Sequence, residues 1–240
     1  MAGALTIAEF QTRLKALGFY AGKVDGLFGP KTRAAFLQSM AGSTRRITSV
    51  DITQAANRLL VEPSALGAVC DVESAEGGFD PATARPIIRF EPHKFRTFTS
   101  AQFDVAAPAL SHDYSARVKF PQPASQVPRW ANLADAVALS PIEALSATSW
   151  GLFQIMGFNW QSAGYTDVWS FVRGMAASER AQLMGFCQFL KSEGLVDPLR
   201  RKDWAAFAAG YNGPGYDDAP GRAQDYDSKL ADAYRARGGR

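Results

Sequence analysis

Apolar residues return at helical spacing along most of the chain, and this periodicity constrains the fold more than any other feature of the sequence. Leu66, Val69 and Cys70 share a helical face ahead of Glu73 in a segment running from about Pro63 to Ala75. Leu183, Phe186, Cys187 and Leu190 form a second stripe, and Trp204, Phe207, Ala208 and Tyr211 a third. The best strand candidate is the short β-branched run Pro86-Ile87-Ile88-Arg89-Phe90. The spacing therefore predicts a mainly α protein with at most a short β-hairpin. Residues 96–130, full of Pro, Ser and Ala, read as loop with short helices, 151–163 as helix, and the basic end Arg235 to Arg240 as a frayed tail.

The front of the chain reads as a separate helical unit. Phe10, Leu14 and Leu17 recur at helical spacing until Gly18 stops the helix. A glycine-punctuated loop follows, and Pro30 opens a second helix through Ala34, Ala35 and Phe36. The unit is short, so a third helix is either missing or drawn from residues after Phe36. Gly42-Ser43-Thr44-Arg45-Arg46 is small and polar, as a linker would be, and Asp51 is placed to cap a helix beginning at Ile52. The expected division is a small module over 1–44, a linker over 45–51 and a second domain over 52–240. Charge is split along similar lines. Residues 1–46 hold seven Lys or Arg against Glu9 and Asp25, or +5, leaving −2 for the remainder of a chain whose net charge is +3. A basic front end implies an anionic partner, and nucleic acid and bacterial wall both qualify.

The chemistry narrows by inventory. A zinc site needs three or four converging ligands, whereas His93 and His112 are the sole histidines, lie in loop-rich sequence and form no His-x-x-x-His pair. They read as surface or structural residues. Cys70 and Cys187 sit on apolar helical faces, where a buried thiol is inert, and two cysteines make no disulfide framework. No phosphate-cradling loop is present. Carboxylates remain, and Glu73 stands at the end of an apolar helix just before Gly77-Gly78. A carboxyl half shut away from water keeps its proton near neutrality and can donate it to a glycosidic oxygen. An arbitrary helix-end Glu would simply face solvent; the surrounding motifs decide otherwise.

Three patches follow in order: Val72-Glu73-Ser74, Ala147-Thr148-Ser149-Trp150-Gly151-Leu152-Phe153-Gln154-Ile155-Met156, and Ala209-Gly210-Tyr211-Asn212-Gly213-Pro214-Gly215. They resemble the catalytic segments of goose-type lysozymes and lytic transglycosylases. With Phe90-Glu91-Pro92-His93-Lys94-Phe95 and the run from Lys202-Asp203-Trp204 to Tyr216, residues 52–237 resemble more closely the N-acetylmuramidase family found in phage endolysins. At the front, Val24-Asp25-Gly26-Leu27-Phe28-Gly29, with Gly18-Phe19-Tyr20 before it and Thr32 after it, resembles the peptidoglycan-binding module of wall hydrolases.

The resemblance implies cleavage of the β-1,4 bond between N-acetylmuramic acid and N-acetylglucosamine, with Glu73 as acid. Glu91 is the candidate second carboxylate, against a structural pairing with Arg89 or His93. Ser149 and Gln154 are candidates to bind sugar or orient Glu73, against capping and packing; Tyr211 and Asn212 are candidates to line the cleft. Phe153, Phe158 and Trp160 suit core better than platform. In the module, Tyr20, Asp25, Phe28 and Thr32 are the expected wall-binding set. No cofactor or metal is implied, and the expected partner is peptidoglycan, without nucleic acid or stable membrane insertion, for a monomer. With no apolar run near the roughly 20 residues of a bilayer span and no secretory signal, the expected location is the host cytoplasm, with access to the wall once the membrane is opened. The rivals are a lytic transglycosylase, which shares Glu73 but leaves 1,6-anhydro ends, a non-catalytic phage structural or wall-binding protein, and a chitinase-like enzyme.

Overall fold

The computed structural model describes residues 5–73, 77–215 and 225–239. The module opens with α1 (Ile7–Ala16), started by a capping box in which Thr6 accepts from the Glu9 amide and Glu9 accepts from the Thr6 amide. Gly18 leaves that helix at φ +80°, a left-handed turn that glycine takes without strain. After the loop comes α2 (Pro30–Ser39) with Pro30 in its first turn. No third helix follows among the described residues of the module. Instead the inner faces of α1 and α2 close on side chains from the rest of the chain: Phe10 meets the Trp169 ring edge-on at 5.1 Å, and Phe36 lies 6.0 Å from Trp130. Arg13 pairs with Asp167 at 3.0 Å, and Arg33 pairs with Asp135.

Past the module the chain stays anchored. The Gly42 amide donates to Ala84 O, and a Cβ on Gly42 would stand 1.7 Å from the Ala176 carbonyl oxygen, so only glycine fits. Ile47 donates to buried Glu179, and Arg180 holds Asp51 at 2.6 Å. The next helix, α3 (Ser49–Leu59), begins earlier than its sequence suggested. Thr48 is its cap and Asp51 the reciprocal third residue of a capping box, because the Thr hydroxyl reaches the Asp51 amide. It leads into α4 (Pro63–Glu73), whose residues from Ala65 to Cys70 are all buried; Ser74, Ala75 and Glu76 of the motif lie outside the described residues.

Three short strands supply the β structure: β1 (Ile88–Phe90), β2 (Thr148–Trp150) and β3 (Ile155–Met156), antiparallel in the order β1-β2-β3. Ile88, Phe90, Trp150 and Ile155 are buried, while Arg89, Ser149 and Met156 align across the opposite face. Between β1 and β2 come α5 (Pro92–Phe98), a loop with one 3-10 turn, α6 (Gln126–Leu139) and α7 (Pro141–Ser146). The helix expected over 151–163 is instead a turn, β3 and a 3-10 segment (Gly157–Asn159). Left-handed backbone at Gly151 (φ +71°) and Gln154 (φ +48°) reverses the chain where a helix would run straight.

Packed helices complete the domain: α8 (Val168–Ala177), α9 (Glu179–Ser192), α10 (Val196–Arg201), α11 (Trp204–Asn212) and α12 (Tyr226–Ala236). The supposed frayed tail is largely α12 and its end, packed on α4. Tyr234 donates to Glu62 at 2.7 Å, and Arg237 grips Asp71 with Nε and Nη2; Arg240 lies outside the described residues. None of the described helices is long and apolar enough to cross a membrane.

Candidate active site

Glu73 terminates α4 with its side chain turned into the protein, 8% exposed, at the edge of a cavity of about 300 Å³. The α4 helix is buried from Ala65 to Cys70, and Glu73, one turn on from Cys70, is buried with that face. The β2–β3 turn contributes Phe153 and Gln154, and β3 contributes Ile155 and Met156. Asn159, Phe189, Tyr211, Asn212 and Tyr226 complete the wall. Thus Glu73, Gln154 and the adjacent pair Tyr211-Asn212, three segments far apart in sequence, are brought to one cavity.

Tyr226 is the residue that sequence reasoning missed. Its hydroxyl donates to Glu73 Oε1 at 2.7 Å, and the ring is 2% exposed. The ring lies nearly parallel to Tyr211 at 6.1 Å, and Tyr211 to Phe207 at 5.9 Å. Tyr211 in turn donates to Phe153 O at 2.9 Å, and Phe153 stacks on Phe186 at 4.0 Å. This aromatic ladder ties α9, α11 and α12 to the turn that walls the cavity. A signal was present: Tyr226, Leu230 and Tyr234 recur at a helical interval and mark an apolar stripe.

Ser149 does not line the cavity. Its hydroxyl meets Gln154 Oε1 at 2.9 Å, and Gln154 Nε2 donates to Gly151 O at 2.7 Å, so the pair braces the β2–β3 turn. Phe153 is both core and wall, whereas Phe158 is 41% exposed against Phe98 and Lys94. Both thiols are buried; burial pushes Cys70 far up and Cys187 to about 12, so neither is a nucleophile at neutral pH.

Glu91 lies elsewhere. It caps α5 just beyond β1, pairs with Arg89 at 2.8 Å, and has His93 Nδ1 at 3.6 Å. Burial holds its carboxyl above the usual carboxylate range, opposed by Arg89 and Lys94. It lines a second cavity, of about 250 Å³, with both histidines.

In the module, Tyr20, Asp25 and Thr32 converge on fully buried Gln11. The Gln11 amide nitrogen lies 2.8–3.2 Å from all three side chains, and its oxygen accepts from the Asp25 and Gly26 amides. Phe28 packs 6.1 Å from Phe10. These residues therefore hold the loop in shape, while Leu27 at its tip is 69% exposed.

A helical domain that closes a buried helix-end carboxylic acid into a cavity beside a small sheet, with a compact module ahead of it, defines a lysozyme-like glycosidase. The comparisons with known proteins agree. The N-acetylmuramidase family matches residues 62–237, and the putative peptidoglycan binding domain matches residues 5–36. A solved structure, the crystal structure of Burkholderia AP3 phage endolysin, is 33% identical, covering 97% of this chain and 95% of its own at a TM-score of 0.69. Among curated proteins none matches the sequence. The chain belongs to the N-acetylmuramidase family: it is a glycoside hydrolase of peptidoglycan, assembled as a wall-binding module and a muramidase domain in the manner of a phage endolysin.

Proposed function

We propose that Glu73 is the general acid that cleaves the β-1,4 bond between N-acetylmuramic acid and N-acetylglucosamine. The observation that carries this is the Tyr226 hydroxyl on Glu73 Oε1. The carboxyl is buried at the wall of the cavity, where it can hand a proton to the oxygen of a bound glycosidic link. As the bond to the leaving oxygen breaks, that proton moves to it and positive charge develops at the anomeric carbon. Departure of the leaving sugar makes Glu73 a carboxylate, which the Tyr226 hydroxyl then stabilises by a charge-assisted hydrogen bond.

Water completes hydrolysis, and Glu91 is the proposed group that activates it. Glu91 follows Arg89, and Arg89 shares a sheet face with Met156 of the Glu73 cavity. Burial raises the Glu91 carboxyl, and Arg89 at 2.8 Å opposes that rise by stabilising the carboxylate. The wall-binding role of the module is carried by the loop that Gln11 holds rigid, and tethering to the polymer raises the local concentration of substrate. Release to the wall occurs from the host cytoplasm after membrane opening, as a monomer.

The test is a digest of purified peptidoglycan in water labelled with heavy oxygen. Hydrolysis yields reducing muramic ends that carry the label. Unlabelled fragments lighter by one water would make the enzyme a lytic transglycosylase and leave Glu91 without a role.

A further inference from the structure

Beyond Glu91 itself, the proposed cleavage chemistry gives no use to the residues of the second cavity. Arg89, Glu91, His93, His112, Tyr114 and Arg117 line it. Its position relative to the cleavage site follows from the sheet register. Arg89 pairs with Ser149 and Ser149 with Met156, so the three share one face, and Met156 lines the Glu73 cavity. Two strand spacings, about 10 Å, separate the two ends of that row.

What the cavity offers is guanidinium rather than aromatic surface. The Arg117 guanidinium lies over the Tyr114 ring at 4.1 Å, and His93 meets the same ring edge-on at 5.1 Å. Phe120, beside them, stacks on His112 at 5.2 Å and has the Lys119 ammonium 5.2 Å from its centroid. A pyranose ring docks on a free aromatic face, and these rings are already engaged. Donor capacity, by contrast, is in surplus. Arg117 gives one N–H to Tyr114 O at 3.0 Å, and Arg89 meets Glu91 through Nε. Each guanidinium carries five N–H groups in all.

The histidine adds an acceptor. His112 Nδ1 lies 2.8 Å from Asp113 O, a carbonyl that can only accept, so Nδ1 carries the hydrogen. In the neutral ring Nε2 is then a lone pair, and it is buried without a partner. An unmet buried acceptor next to unused guanidinium donors suits a ligand that brings both an N–H and a carboxylate.

We propose that this cavity binds the carboxylate-bearing peptide stem carried by the muramic acid next to the scissile bond. The assignment rests on the muramidase reading above. Arg117 and Arg89 receive the stem carboxylate, and His112 Nε2 accepts a peptide N–H. The enzyme thereby prefers strands that still carry their stems.

Two substrates differing only in the stem test this: purified glycan strands with tetrapeptide stems, and the same strands stripped by an amidase. The full wild-type chain is expected to show a KM on the order of tenfold lower on stem-bearing strands, the size of one charge-assisted hydrogen bond. Arg117→Ala should remove most of that difference by raising KM on stem-bearing strands alone, with kcat unchanged, and Arg117→Lys should restore part of it. His112→Phe, which keeps the ring stack, should act in the same direction. Equal losses on both substrates would make the cavity a sugar subsite and overturn the proposal, as would unaltered kinetics in all three variants. Calorimetric titration of free stem tetrapeptide into Glu73→Gln protein needs no turnover. Binding there that Arg117→Ala abolishes supports the proposal even if the cleavage chemistry is revised, and no binding overturns it.

Discussion

The Tyr226 hydroxyl reaches Glu73 Oε1 at 2.7 Å across 153 residues of chain, so the proposed acid and its hydrogen-bond donor come from helices remote in sequence. The donor does more for the carboxylate than for the acid. Tyr226→Phe removes it while keeping the ring that stacks near Tyr211. Losing a hydrogen bond to a charged group is worth about 1.5–3 kcal/mol, so kcat is expected to fall on the order of tenfold or more. Steady-state kinetics on purified peptidoglycan should show the loss in kcat with KM little changed, and unchanged kcat would leave Tyr226 a packing residue.

Glu73→Gln preserves shape and the contact with Tyr226 but has no proton to transfer. Turbidity clearance of wall-exposed cells should fall about 100-fold to 10,000-fold, with an unchanged circular dichroism spectrum. Near wild-type clearance would remove Glu73 from the mechanism.

Glu91 makes a prediction for stability. Its folded carboxyl titrates above the ordinary carboxylate range because burial penalises the charge. Between the ordinary and the raised value, the folded state therefore binds more protons than the unfolded one, and stability falls as pH rises. Glu91→Gln does not titrate there. Its melting temperature relative to wild type should climb as pH is raised from below the ordinary range, and a difference independent of pH would show that Glu91 is not penalised by burial. If Glu91 also activates water, the same variant loses turnover on stripped and stem-bearing strands alike.

The shared core of module and muramidase domain sets a fourth expectation. Phe10 is fully buried against Trp169, Phe28 and Phe36. Phe10→Ala should cost about 3–5 kcal/mol, and scanning calorimetry should show one transition, shifted as a whole, with muramidase activity lost along it. Two transitions, of which only the smaller moved, would instead make 1–44 an independent folding unit.

Much of the fold was legible because burial was one-sided. The stripes at Leu183 to Leu190 and Trp204 to Tyr211 became α9 and α11, and Glu73 did end α4. Legibility failed where burial was all-round. From Trp150 to Phe153 every side chain is buried, so periodicity there cannot separate a helix from the observed β2–β3 turn. The turn depends on left-handed backbone at Gln154, whose amide is fixed by Ser149 and Gly151. Charge misled at the C-terminus, where Arg237 is spent on Asp71 rather than left in solvent. In the module, Phe10-Gln11 belongs with Tyr20, Asp25 and Thr32 to the sequence motif, but the motif did not reveal that buried Gln11 is the hub on which the other polar side chains converge.

The placement of α12 also gives the enzyme an order of assembly. A ribosome delivers the chain from its N-terminus, so the acid, the sheet and the cavity wall through Asn212 all emerge before Tyr226. Until α12 follows, Glu73 lacks the tyrosine hydroxyl and α4 lacks the helix that covers it. The nascent chain therefore lacks the Tyr226 hydroxyl on Glu73 until α12 has been made, and a protease that clips α12 away would remove that contact without touching any residue before it.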